Sequence, residues 1–144
     1  MRPRHTSAFT LVEILIVVVI LGILAAIVVP QFAKASDDAT STATYDTLNR
    51  VRRAIAIYHA RNSSQWPDVT AGNGTWGGLN GPDSPFMREA PINQWVGTAN
   101  GRVIVIGTGP DTAYQDQYGW IYDPATGDVW AGGFDDQDRP FPKP

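Results

Sequence analysis

The sequence contains no cysteine and only two histidines, His5 and His59. Without cysteine, the chain can form neither a disulfide framework nor a thiolate metal site. His5 lies near the N-terminus and His59 stands alone within a helical pattern, so there is no pair of imidazoles for zinc or for a catalytic dyad. No other cluster of residues indicates an active site, and we expect a protein that is not an enzyme.

Basic residues are also in the minority, with 11 Lys and Arg against 14 Asp and Glu and a formal net charge of −3. A negative surface does not favour nucleic acid as a partner, because binding to the phosphate backbone depends on basic side chains. The length of 144 residues allows one modest domain. Since the first fifth of the chain is too apolar to belong to it, we expect a soluble core of about 80 to 110 residues.

Polar residues are nearly absent from one long segment near the N-terminus. Between Phe9 and Val29 the only polar residues are Thr10 and Glu13. At a rise of about 1.5 Å per residue, a helix of this length would span roughly 30 Å, which matches the hydrocarbon core of a bilayer. We therefore predict a single transmembrane helix over residues 9–30.

The orientation follows from the preceding segment, residues 1–8, which carries Arg2 and Arg4 and no acid. By the positive-inside rule, this end stays in the cytoplasm and residues 31–144 form an exported domain. A secretory signal peptide cleaved near Ala33-Lys34-Ala35 is the alternative, but the apolar region of such peptides usually has only about 7 to 15 residues.

The helical pattern continues beyond Pro30, because residues 31–61 contain neither glycine nor proline. We predict one continuous helix, kinked where proline removes a backbone donor; a helix end at Pro30 is the alternative. Residues at spacings of three and four form an apolar stripe on its second half: Tyr45, Leu48, Val51 or Arg52, Ile55 and Tyr58. Asn62-Ser63-Ser64 is the predicted stop.

The remaining chain predicts an α+β fold, with the long helix packed on a small antiparallel sheet of about three strands. Residues 62–101 are rich in Gly, Pro, Asn and Asp but contain scattered tryptophans, which is typical of a long ordered loop. Residues 102–132 contain three short β-branched or aromatic runs, the last two joined by a Pro-to-Gly turn that indicates a hairpin. The tail, residues 133–144, has alternate prolines and is predicted to be extended.

Glu13 is the one charged residue of the apolar segment. Burying a carboxylate in a membrane costs about 2.5 to 3.5 kcal/mol or more, so such a residue is expected to have a partner. An interfacial residue without a role is the alternative. If the chain were cut between Ala8 and Phe9, the new α-amino group would be a cation four residues away. It could pair with Glu13 of the same copy or of a neighbouring one.

The stretch AFTLVEILIVVVILGILAAIVVPQF resembles the N-terminal segment of type IV pilins and of the pseudopilins of type II secretion systems. The resemblance implies that a prepilin peptidase cuts after Ala8, although the leader in that family normally ends in glycine. It also implies that Phe9 becomes an N-methylated terminus and that Glu13 pairs with the amine of a neighbour. Gly22 and Pro30 would bracket a stretch that loosens in assembled filaments.

The same resemblance implies a structural subunit of a pilus or pseudopilus, and the hairpin WIYDPATGDV is similar to the last hairpin of major, G-type pseudopilins. The implied partners are copies of the chain and related pilins, the peptidase, and indirectly an assembly platform and a motor ATPase. The implied location is the inner membrane and then the filament. Alternatives are a minor tip or DNA-uptake pilin acting as a binding subunit, and an uncut membrane-anchored enzyme or sensor.

Three acids near the C-terminus, Asp135, Asp136 and Asp138, are calcium candidates, because the resemblance to major pseudopilins, which hold calcium in a C-terminal loop, implies such a site. Their spacing differs from the interleaved acids of a preformed calcium loop, and a run of acids is usually a solvated patch. No other cofactor is expected.

Overall fold

A computed structural model of the protein describes residues 9–144. Helix α1 runs without interruption over Leu11–Arg61 and contains Pro30 in its interior. The continuity of the predicted helix is thereby confirmed and Pro30 is not a helix end, while the kink at Pro30 stays a prediction. The predicted stop is confirmed as well: Ser63 and Ser64 have φ values of 53° and 61°, and the Ser64 amide donates to the His59 carbonyl at 3.0 Å.

The sheet has four strands, β1 (Gly72–Asn73), β2 (Val103–Ile106), β3 (Trp120–Tyr122) and β4 (Val129–Ala131), in that spatial order. The α+β class is confirmed. The prediction of about three strands, all antiparallel, is wrong in two details, because β1 forms within the predicted loop and β2 pairs with β3 in parallel. Parallel neighbours need a connection of about a dozen residues or more, and residues 107–119 provide one.

The predicted hairpin joins β3 and β4, which pair antiparallel. Its turn is closed by the Gly127 amide, which donates to the Asp123 carbonyl at 2.8 Å. Gly127 has a φ of 74°, and a Cβ there would lie 2.2 Å from the ring of Trp66. Glycine is therefore required at this position both by the backbone conformation and by the close approach of the indole.

The chain divides into two compact units, the first ending at Ser36 and the second comprising Asp37–Pro144. The second unit contains the hydrophobic core, in which one face of α1 packs against the sheet and the long loop. The buried residues of this face are Thr44, Leu48, Val51, Ala54 and Ile55. Tyr45 departs from the predicted stripe, since its side chain is 45% exposed and Thr44 occupies the buried position instead.

Residues 62–101 are ordered by their aromatic side chains, as predicted. Trp76 and Trp95 are buried; Trp76 packs edge-on against Trp120 with 6.0 Å between ring centroids. Trp130 is half-buried in β4. The lone His59 is half-buried and stacks on Trp66 at 3.8 Å, which is a packing role.

One buried amide ties the helix, the loop and the sheet together. Asn93 is fully buried, and its Nδ2 donates to the carbonyls of Gly119 and Gly132 at 2.9 Å each. Its Oδ1 accepts from the Trp95 amide at 2.9 Å and from the Thr44 hydroxyl at 3.2 Å. Buried polar groups are stabilising only when their hydrogen bonds are made, and here each named group is bonded.

The C-terminal tail contains no helix and is anchored on α1 by two ion pairs. Arg52 contacts Asp138 with both terminal nitrogens, and Lys143 lies 3.0 Å from Asp37. Lys143 also lies 4.1 Å from the centroid of the Trp95 ring, a cation–π distance. The prediction of an extended tail is wrong for residues 134–140, which turn back on themselves with an antiparallel bridge between Phe134 and Pro140 and a φ of 57° at Asp138.

Candidate assembly segment at the start of helix α1

The first turn of α1 is closed by a reciprocal pair of hydrogen bonds between Thr10 and Glu13. The Thr10 hydroxyl oxygen accepts from the Glu13 amide at 3.2 Å, and Glu13 Oε2 accepts from the Thr10 amide at 2.8 Å. The Thr10 hydroxyl also donates to Oε2 at 2.8 Å. This is a capping box, in which two backbone donors that a helix start leaves unpaired are satisfied.

Glu13 therefore has a partner within its own subunit, which the sequence reasoning did not identify. The signal was present, because Thr-Leu-Val-Glu before an apolar run has the spacing of a capping box. The carboxylate also lies in the first turn, where the helix dipole favours negative charge. Both Thr10 bonds end on Oε2, and within residues 9–144 no hydrogen bond reaches Oε1. One carboxylate oxygen thus remains available to a cation from another copy.

The apolar side chains of the segment lie outside the core. Each large hydrophobic residue named here has more than two fifths of its surface exposed: Phe9, Leu11, Val12, Ile14, Leu15, Ile16, Val17, Val18, Val19, Ile20, Leu21, Ile23, Leu24, Ile27, Val28, Val29 and Phe32. In the described part of the chain, α1 is long and apolar enough to cross a membrane, with a mean hydropathy of 3.3 in its most apolar window. A surface of this size requires lipid or another apolar surface to cover it.

The other predicted site residues lie along this segment. Phe9 precedes the helix and is 81% exposed, while Ala8 falls outside the described residues. Phe9 and Glu13 are four positions apart, about one helical turn. Pro30 lies in the helix interior, where it removes one backbone hydrogen bond. The roles in processing and assembly assigned to these residues stay predictions.

Gly22 has no close neighbour, since a Cβ built there would meet no atom within 4 Å. Space inside the subunit therefore does not require glycine. Its effect on an isolated helix is to weaken it, by about 1 kcal/mol relative to alanine.

If the stretch from Gly22 to Pro30 must lose its helical structure during assembly, the Gly22→Ala variant should assemble less well. The alanine variant must spend about 1 kcal/mol more to unwind this stretch, and this free energy corresponds to a filament yield about fivefold lower. The matched control Ala26→Gly weakens the same stretch and should assemble at least as well as the unmodified chain. Filament yield is measured by shearing and sedimentation, with membrane levels of the subunit as reference. Equal yields for Gly22→Ala and the unmodified chain would contradict the role of Gly22.

The three acids of the calcium hypothesis are placed in other interactions or in solvent. Asp138 binds Arg52, and Asp135 accepts from the Arg139 amide and guanidinium at 2.9 Å each. The Arg139 amide is the main cause of the lowered pKa of the Asp135 carboxyl. Asp136 is exposed. Within residues 9–144, no group of three or more His, Cys, Asp or Glu is positioned to hold a metal ion.

A different acid organises the connection between β2 and β3. Asp111 accepts from the Tyr118 hydroxyl through Oδ1 and, through Oδ2, from the Gly133 amide at 2.7 Å and the Gln115 side chain at 3.0 Å. Burial and the bond to Asp111 raise the pKa of Tyr118 to about 12. Asp111 thus fixes the connection against the segment that follows β4.

This arrangement predicts a loss of stability in alkaline solution. Tyrosine in the unfolded chain loses its proton near the ordinary pKa of 10.0, whereas folded Tyr118 keeps it to about 12. Between these values the folded state binds more protons, so its stability is complete below pH 10 and falls as the pH rises. In thermal unfolding from about pH 9 to 11.5, the midpoint of Tyr118→Phe should fall less steeply than that of the unmodified chain. Parallel curves would show that Tyr118 titrates as an ordinary tyrosine.

The comparisons with known proteins agree with the geometry. Residues 3–29 match the family described as "Prokaryotic N-terminal methylation motif". Over 103 residues, the chain is 33% identical to the type II secretion system core protein G of Pseudomonas aeruginosa, covering 66% of this chain and 72% of that protein. It is 29% identical over 123 residues to the core protein G of Klebsiella pneumoniae, covering 75% and 87% of the two chains.

A shorter match connects the chain with pili. A stretch of 53 residues is 49% identical to the type IV narrow pilus major component PilA5 of Thermus thermophilus, covering 37% of this chain and 46% of that protein. No solved structure matches the chain significantly.

An apolar helix that begins at a methylation motif and continues into a small α+β unit defines the class of membrane-anchored, type IV pilin-like proteins. Within that class, the chain belongs to the family of type II secretion system core protein G, the pseudopilins.

Proposed function

We propose that this protein is a repeating structural subunit of a pseudopilus or of a type IV pilus-like filament, and that its role is not enzymatic. The observation that carries this proposal is the exposed apolar first part of α1, which starts at the capping box of Thr10 and Glu13 and takes no part in the core of the second unit. Lipid covers such a surface when the subunit is a monomer in the membrane, and the same helix of other copies covers it in a filament.

The precursor lies in the inner membrane, with residues 31–144 outside the cytoplasm. A prepilin peptidase cuts between Ala8 and Phe9, and Phe9 is then methylated on its new amine. The small side chain of Ala8 supports cleavage at the position where relatives in this class carry glycine.

Glu13 then pairs with the Phe9 amine of the neighbouring copy. Glu13 Oε1 supports this pairing, because no hydrogen bond reaches it within residues 9–144 and the capping box can persist while Oε1 accepts from the amine. Each pair removes an unmatched charge from an apolar environment, which favours one axial offset between copies.

Assembly also requires work from outside the subunit. About 20 lipid-facing residues per copy must leave the bilayer, and burial against other helices returns part of that free energy. The assembly platform and motor ATPase supply the remainder. The exposed aliphatic side chains repeat along the helix, so each copy can contact several others in a helical, heterologous array.

The test is the chemical state of the mature N-terminus in sheared filaments. We expect mass spectrometry to find N-methylated Phe9 as the first residue and electron microscopy to find filaments built mainly of this chain. An intact Met1, or a first residue near Ser36, would overturn the proposal. Filaments in which the chain is present only at one end would support a minor subunit instead.

A further inference from the structure

The second unit carries an open groove between α1 and the loop before β2, with a volume of about 590 Å³. Four arginines line it: Arg50 and Arg53 from the helix, Arg88 from the loop, and Arg102 just before β2. Glu89 is the single acid among the lining residues. The groove is thus strongly basic, which the net charge of the whole chain does not indicate.

These four arginines form no ion pair within residues 9–144, where the three ion pairs involve Arg52, Arg139 and Lys143. Arg102 directs its Nε to the Ala90 carbonyl at 3.4 Å. The other three side chains are exposed. Their positive charge is therefore not neutralised by an ion pair in the described part of the subunit.

The lining of the groove is apolar between the arginines. Ala54 is buried and Ile57 is 47% exposed, while Phe86 and Met87 are half-buried across from them. A surface that combines arginine with aromatic and aliphatic groups is typical of the centre of a protein–protein interface. A nucleic acid backbone would use the charges but not the apolar groups.

We propose that this arginine groove binds an acidic surface on a second copy of this chain. The segment Asp37–Pro144 contains 13 acidic and eight basic residues, so outside the groove it carries a large excess of carboxylates. Several exposed acids have no ion-pair partner in the described chain: Asp38, Asp46, Asp68, Asp83, Asp116, Asp128 and Asp136. Every copy thus presents both a basic groove and acidic surfaces that can complement it.

Such a contact is heterologous, because the groove of one copy meets a different surface of the next. Heterologous contacts build open helical assemblies when the rotation does not close. The inference rests on the proposed filament and adds to it a contact between the exported units, separate from the apolar helices. Charge complementarity would then select the neighbouring copy and its register.

Because the chain contains no cysteine, one introduced cysteine is its single thiol, and the labelling of that thiol reports whether the groove is covered. Glu89→Cys places one thiol in the groove and leaves all four arginines in place, and Ala125→Cys, in the exposed turn between β3 and β4, is the matched control. A water-soluble maleimide should label both variants in detergent-solubilised monomers. In filaments, the thiol at position 89 should lose its labelling while the control keeps it. Equal labelling of position 89 in monomers and filaments would overturn the proposal.

The second measurement identifies the bound surface. Filaments assembled from Glu89→Cys and an epitope-tagged chain with cysteine at one of the seven exposed acidic positions (38, 46, 68, 83, 116, 128 or 136) are oxidised, and a disulfide-linked mixed dimer is sought. At least one acidic position should cross-link in filaments and fail to do so in detergent. Filaments without any cross-link from the full set of seven exposed acids would contradict an acidic partner surface. Protection of the thiol only after addition of a DNA oligonucleotide would show that the groove binds nucleic acid instead.

Charge reversal provides a readout of assembly. Arg88→Glu should lower filament yield about tenfold or more, since like charges facing each other cost several kcal/mol, while the thermal unfolding midpoint of the monomer stays unchanged. Arg88→Lys, which keeps the positive charge at this position of the groove, is the control and should assemble like the unmodified chain. Absence of filaments from the unmodified chain would be a failure of the proposed function, whereas normal filaments from Arg88→Glu would be a failure of the groove inference alone.

Discussion

Replacing Glu13 by glutamine is expected to reduce filament assembly by about a hundredfold or more, while the amount of subunit in the membrane stays unchanged. The reason is that the amine of the neighbouring copy would be buried without its counter-charge, and such a loss costs about 3 to 5 kcal/mol. Assembly is measured as the sheared filament fraction relative to the membrane fraction.

Glutamine is the informative substitution because it separates charge from capping. Its amide oxygen can still accept from the Thr10 backbone N–H, so the capping box of Thr10 and Glu13 persists. Glu13→Ala removes both the charge and the cap, and Thr10→Ala removes the threonine half of the box while keeping the charge. Loss of a cap costs only about 0.5 to 2 kcal/mol of helix stability.

The pattern across these variants decides between two roles of Glu13. If pairing between copies dominates, Glu13→Gln and Glu13→Ala both fail to assemble and Thr10→Ala assembles at a reduced level. If capping dominates, Glu13→Gln assembles normally, while Glu13→Ala and Thr10→Ala share the defect. Normal assembly of Glu13→Ala would contradict both roles.

The second large effect is expected in the folded unit, where Asn93→Ala should lower the free energy of unfolding by about 3 to 5 kcal/mol. The substitution leaves the buried carbonyls of Gly119 and Gly132 without the donors that now reach them at 2.9 Å. For a unit of about 100 residues, each kcal/mol corresponds to about 4 to 8 °C in the unfolding midpoint. Circular dichroism of the full chain in detergent should therefore show a midpoint lower by about 15 °C or more.

Two companion variants test whether the hydrogen bonds, and not the volume of the side chain, produce this effect. Asn93→Asp keeps the shape but turns an acceptor towards the two carbonyls, so it should be at least as destabilising as alanine. Thr44→Val removes one hydroxyl that bonds Asn93 and the Trp95 amide and should cost about 1 to 2 kcal/mol. A small effect of Asn93→Asp would show that packing alone matters at this position.

Much of the candidate site could be predicted because it is local in sequence. The apolar length, the position of Glu13 and the proline at position 30 are properties of one continuous segment, and a single helix expresses them directly. The capping partner Thr10 was also within reach, three residues from Glu13. Ala8 and the chemistry at Phe9 rest on the resemblance and the proposed function.

The arrangement of the sheet was less accessible to sequence reasoning. The β-branched run of β2 and the hairpin of β3 and β4 were predicted, but the parallel pairing of β2 with β3 was not. The composition of residues 107–119 does not show whether this connection brings β3 antiparallel or parallel to β2. The anchoring of that connection by Asp111 to Tyr118 and Gly133 depends on residues that are up to 22 positions apart.

The sequence by itself determined that this protein has a helix too apolar for water, a charge at its beginning and a small aromatic-rich unit behind it, because hydropathy and helical periodicity are set by neighbouring residues. Only the tertiary structure decided that Asn93 joins helix, loop and sheet, and that four arginines without an ion pair in residues 9–144 gather in one groove of an acidic chain. Both depend on contacts between distant segments. Net charge and composition average over such contacts, whereas the folded chain separates its charges onto different surfaces.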